Sequence, residues 1–109
     1  MAKRDYLSQS ELMIMLAVMR LGQQAYGVPI AQEITDQTGR EIAAGVVYSA
    51  LERLEDNGFV ASEIGESSAT RGGRAKTYFR VTPAGLKQVR ETQRALQRLW
   101  DGIPQLRGA

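Results

Sequence analysis

At 109 residues the chain has room for one domain and a modest core, a size at which a second copy often supplies the missing burial. It holds no Cys and no His, so a disulfide frame, the usual transition-metal ligands and the commonest general base are all absent. No metal or cofactor is expected, and the chain does not read as an enzyme. The net charge of +2 hides an asymmetry: residues 1–66 carry five Lys/Arg against ten Asp/Glu, whereas residues 67–109 carry nine against two. Such a division suits a polyanion on one face of the molecule.

The longest apolar run, Leu12 to Met19, is far short of the roughly 20 residues that span a bilayer, and Met-Ala-Lys-Arg-Asp-Tyr at the start lacks a signal-peptide core. A soluble, cytoplasmic protein with no membrane partner is expected. Ser8-Gln9-Ser10-Glu11 forms a capping-box pattern ahead of that run and predicts a first helix over about 8–22. Eight consecutive apolar residues cannot share one helix face, so this helix needs cover on more than one side. Its three Met are read as core packing rather than as a pliable ligand pocket.

Gln23 to Gly27 reads as a loop, and Pro29 suits the first turn of a second helix over about 28–38, stopped at Thr38-Gly39. A third helix is predicted over 45–57. On it Val47, Ala50, Leu51 and Leu54 fall within about 100° of one another, leaving Tyr48, Ser49, Glu52, Arg53 and Asp56 on the far side. Two β-rich segments, 59–64 and 76–82, flank a Gly, Ser and Arg-rich linker and predict a hairpin. Thr82-Pro83 then starts a last helix over 83–103, leaving 104–109 as a tail. Leu86, Val89, Gln93, Leu96, Trp100 and Ile103 are spaced 3, 4, 3, 4, 3 along it, a heptad seam with one polar position. The seam is too short to stand alone. It is expected to dock on the first helix of a second subunit, around Leu12, Met15 and Met19; the alternative is that the helix folds back on its own domain.

Three helices, a basic hairpin and a trailing helix make an α+β, mainly α chain: a winged helix-turn-helix over residues 1–82 with a C-terminal dimerisation helix. That plan places the third helix in a DNA major groove and the wing along a phosphate backbone. Small residues at its start, Ala44 and Gly45 among them, permit close approach, while Tyr48, Ser49 and Arg53 offer contacts to bases or phosphates. In the wing, Arg71 and Arg74 supply forked donors and Gly72 and Gly73 leave backbone amides uncovered, with Lys76 on the same track. The other reading is a winged-helix module for protein contacts without an operator of its own, to which the acidic Glu52, Glu55 and Asp56 lend support.

Five segments in this order and spacing carry a resemblance: Leu21-Gly22; Ala25-Tyr26-Gly27-Val28-Pro29-Ile30; Gly45-Val46-Val47-Tyr48 with Leu51 to Gly58; Arg71-Gly72-Gly73-Arg74-Ala75-Lys76-Thr77-Tyr78; and Val81-Thr82-Pro83-Ala84-Gly85. Over roughly residues 7–100 the chain resembles the PadR family of bacterial transcriptional regulators, in its short form with a single C-terminal helix. The resemblance implies a homodimeric repressor, swapped through its last helix, on a pseudo-palindromic double-stranded DNA operator. Tyr48 matches the family's recognition-helix Tyr and Arg71 to Lys76 its wing signature, whereas Val46 stands where Thr is frequent. Some short relatives bind flat aromatic compounds between subunits, which makes a small aromatic or hydrophobic inducer a candidate partner and Met15, Leu96 and Trp100 its candidate contacts. Trp100 lies one turn beyond the position aligned with the relatives' aromatic residue, which here is Leu96, and is expected to anchor the seam rather than stack on a ligand.

Overall fold

The computed structural model describes residues 5–65 and 76–107. Helix α1, Gln9–Leu21, starts on the expected capping box: Glu11 N–H donates to Ser8 Oγ at 3.2 Å, and Ser8 N–H donates to Glu11 Oε1 at 2.9 Å. Gly22 ends it at φ 60°, and a 3-10 turn, Gly22–Gln24, leads to α2, Gly27–Thr38. Pro29 sits in the first turn of α2, where its missing N–H removes no helical hydrogen bond. The helix ends on Gly39 at φ 78°, whose N–H reaches Thr35 O at 2.8 Å. Helix α3, Ala44–Asp56, lays Val47, Ala50, Leu51 and Leu54 on the core and is followed by Gly58 at φ 79°.

Strands β1, Val60–Ile64, and β2, Thr77–Val81, pair antiparallel, with Val60 opposite Val81 and Ile64 opposite Thr77. Only Val60 and Phe79 of the sheet are buried, because two strands have one face to offer the helices and the other meets solvent. The core gathers Ile14, Met15 and Val18 from α1, Ile30 and Ile34 from α2, the inner face of α3 and these two strand residues. No helix among the described residues is long and apolar enough to cross a membrane.

Helix α4, Pro83–Trp100, divides the expected seam. Thr82 caps it, accepting from Gly85 N–H at 3.0 Å and donating to Gly58 O at 2.6 Å. Its first half packs on its own protomer through Gly85, Gln88, Val89 and Thr92. Gln88 Nε2 donates to Asp5 O at 2.6 Å, and Thr92 Oγ1 accepts from Leu7 N–H at 3.1 Å, tying the segment ahead of α1 to the helix. Val89, expected on the partner-facing seam, is therefore core. The second half is uncovered: Leu96 is 51% exposed, Leu99 74% and Trp100 58%. The helix stops at Trp100 rather than 103, since Gly102 turns the chain at φ 82° and Pro104 disfavours helix at the residue before it. Ile103 consequently sits past the helix, ahead of a 3-10 turn, Pro104–Leu106.

Gly85 explains how α4 comes so close. A Cβ there would strike the Phe59 carbonyl oxygen and come within 2.9 Å of Met15 Cε. Backbone cannot rotate aside, so Gly85→Ala is expected to lose about 1–3 kcal/mol by overpacking despite the better helix propensity of Ala. Thermal unfolding followed by circular dichroism checks it: the melting temperature should fall by at least about 4 °C. An unchanged value would mean that the α4 contact is dispensable.

Candidate nucleic-acid interface

The amphipathic pattern of α3 leaves an outer face of Ala44, Gly45, Val46, Tyr48, Ser49, Glu52 and Arg53, all exposed. Tyr48 shows 49% of its surface. A Cβ built on Gly45 meets nothing within 4 Å, so packing within the protomer gives no reason for a glycine in the first turn of this helix. A glycine there weakens the helix by roughly 0.5–1 kcal/mol relative to Ala. Gly45→Ala is accordingly expected to raise thermal stability by about that amount while weakening DNA binding, as a methyl group enters the helix–duplex gap. Paired melting and DNA titrations check this; a variant that gains stability and keeps its affinity would remove Gly45 from the contact surface.

Two aromatic contacts hold α3 and the wing to the start of α2. The Tyr48 ring lies against Gly27, where an added Cβ would collide with Tyr48 Oη and sit 2.9 Å from Cε1. One residue earlier, Tyr26 meets Tyr78 of β2 edge-on, with ring centroids 5.3 Å apart at 69°. Lys76 Nζ stands 4.6 Å from the centroid of the Tyr26 ring. The Phe79 N–H donates to Ala25 O at 2.8 Å, so β2 is also bonded to this segment through its backbone. Lys76 thus sits at the root of the wing, with its charge on an aromatic face.

The remaining expected residues divide. Ser49 shares the exposed face with Tyr48. Arg53 Nε lies 3.4 Å from Glu11 Oε2, which draws part of its charge toward α1 and away from any phosphate. Glu55 accepts from Ser62 Oγ at 2.6 Å and so is tied to β1. Arg71, Gly72, Gly73 and Arg74 lie outside the described residues. Tyr26 and Gly27, which the residue pattern gave as loop, are the residues that this face and β2 pack against. Their signal was a Tyr-Gly pair standing where a helix start ordinarily has a Ser, Thr or Asp cap.

On the expected partner surface, Met15 is wholly buried in its own protomer and unreachable by a second copy, while Leu12 is half-buried. The exposed large apolar residues of α1 are Leu16 and Met19. Leu86, Gln93, Leu96, Trp100 and Ile103 are exposed, and Leu99 joins them. Met15 lies inside the core, whereas Leu96 and Trp100 are exposed on α4. A cleft of about 440 Å³ opens instead between α1 and α2, lined by Met13, Leu16, Met19 and Ile34 with the 2.7 Å Arg20–Glu33 pair. The Arg20 guanidinium holds the Glu33 carboxyl below the usual carboxylate range. Among the described residues no cluster of carboxylates is placed to hold a metal ion.

Comparison with known proteins agrees with this arrangement. Residues 15–91 match the model of the transcriptional regulator PadR-like family. Over 76 residues the chain is 34% identical to Transcriptional regulator Rv3488 of Mycobacterium tuberculosis, a match covering 70% of this chain and 66% of that relative. A transcriptional regulator from Clostridium thermocellum superposes with a TM-score of 0.72 at 28% identity, covering 90% of this chain and 92% of its own. A PadR family transcriptional regulator from Eggerthella lenta gives 0.71 at 31%, covering 89% and 82%. F93 from STIV, a winged-helix DNA-binding protein, shares the fold with a TM-score of 0.67 at 17% identity, covering 90% and 98%. With an exposed helix beside a hairpin, on a scaffold shared with these regulators, the chain belongs to the PadR-like family of DNA-binding transcriptional regulators, not to a family of enzymes.

Proposed function

We propose that this protein is a homodimeric repressor that occupies a pseudo-palindromic promoter operator and leaves it in response to a small molecule or stress signal. The outer face of α3 carries the proposal: Tyr48 and Ser49 stand exposed beside a Gly45 that the fold itself does not require. Two such helices, about one DNA turn apart, would read successive major grooves while each wing follows a phosphate backbone, excluding polymerase from the promoter. The dimer is supported by the second half of α4, where Leu96, Leu99 and Trp100 form an apolar surface that a lone protomer leaves in water. A ligand would relieve repression by favouring a dimer geometry with the wrong half-site spacing.

The test is binding of the purified protein to a labelled fragment from upstream of its own gene, at low and high salt with competitor DNA. Competitor-resistant binding that falls steeply with salt is the expected result. Glu52 and Asp56 on the exposed side of α3 favour the second reading, a protein-contact module. Absence of specific binding at either salt, to this fragment and to genomic DNA in a pull-down, would select that reading.

A further inference from the structure

We propose that Gly27 is a positioning residue for DNA recognition, acting through Tyr48. The inference rests on the reading of α3 as the recognition helix and adds a residue that touches no DNA. Gly27 is buried, and its φ does not lie in the left-handed region, so backbone conformation does not explain a glycine. Space does. The phenol of Tyr48 occupies the place a Cβ on residue 27 would take, with Oη and Cζ in direct conflict and Cε1 at 2.9 Å. Without a side chain at 27, the hydroxyl end of the tyrosine rests against the backbone at the start of α2, which limits its rotamers and fixes the hydroxyl relative to the α3 surface. Any side chain at 27 lifts the ring and moves the hydroxyl outward.

The conflict differs in kind from that at Gly85. There the struck atom is a backbone oxygen that cannot move; here it is the far end of a half-exposed side chain. Gly27→Ala therefore leaves the fold standing and re-aims Tyr48. The adjoining residue gives the position further weight, because Tyr26 holds the wing through Tyr78 and Lys76. Tyr26-Gly27 is thus a common footing for both DNA-facing elements, fixing the hydroxyl of one relative to the strand of the other.

A double-mutant cycle on the full-length protein tests the proposal, using Gly27→Ala, Tyr48→Ala and both together, read by operator affinity and melting temperature. Gly27→Ala should melt within a few degrees of the parent yet bind operator about a hundredfold or more weakly, the size expected when a hydrogen bond to a charged group is lost from each of two protomers. Tyr48→Ala should weaken binding as much, and the double variant should bind no worse than Tyr48→Ala alone. Additive losses, or an unaltered affinity in Gly27→Ala, overturn the proposal. If Gly27→Ala does not fold, recovery of the fold in the double variant supports the ring conflict, and failure of both to fold overturns it. Should Tyr48→Ala bind normally while Arg71→Ala/Arg74→Ala binds weakly, the Gly27 inference falls and the DNA reading survives. If neither change matters, both fall.

Discussion

Leu96→Glu is expected to yield a monomer that has lost most of its operator affinity. Leu96 sits in the uncovered half of α4, between the buried Thr92 and the exposed Leu99 and Trp100. A carboxylate there would have to be buried without a partner for two copies to associate, at a penalty of several kcal/mol. The fold of the protomer should survive, since its own contacts to α4 come from Gly85, Gln88, Val89 and Thr92. In the proposed dimer two half-site contacts are linked, so a monomer loses an avidity factor on the order of 10² to 10⁴ with every residue proposed to face DNA unchanged. Light scattering and an operator titration on the same sample check both parts. A dimer that persists would mean that another surface joins the subunits, and a monomer that binds operator at full strength would remove dimerisation from the mechanism.

Arg71→Ala with Arg74→Ala is expected to weaken binding to every DNA sequence alike and to flatten its salt dependence. Each phosphate contact contributes about 0.9 to the slope of log affinity against log salt, so two guanidiniums on each of two wings account for up to about 3.6. Discrimination between operator and random DNA should remain near the parent value, because phosphate contacts position the protein and base contacts specify the site. Fluorescence anisotropy at several salt concentrations measures both quantities. An unchanged slope would take the wing tip off the DNA, leaving contacts from α3 and from Lys76 at the wing root. Lys76 is not interchangeable with the two arginines: its ammonium rests on the Tyr26 ring, so its loss should loosen β2 as well as remove a charge.

The elements themselves were legible from sequence because their signals act over a few residues. Ser8 and Glu11 cap α1, Gly39 stops α2, Thr82 and Pro83 start α4, and the 3.6-residue spacing of Val47, Ala50, Leu51 and Leu54 marks the buried face of α3. Family membership was legible for a related reason, since ordered short motifs survive without any knowledge of contacts. Tertiary structure alone decided which apolar surface was already covered. Val89 and Leu96 occupy equivalent heptad positions, yet Gly85 lets the first half of α4 close on the Phe59 backbone, while among the described residues Leu96, Leu99 and Trp100 of the second half stay exposed. Met15 and Met19 share one apolar run, and packing against the rest of the core buried the first and left the second in part exposed. Glu11 reached Arg53 from 42 residues away, and Tyr48 came to rest on Gly27 because two helix termini meet there. Local propensity has no term for such meetings: they depend on how whole helices pack, and a side chain's partner is set by that packing rather than by its neighbours in the chain.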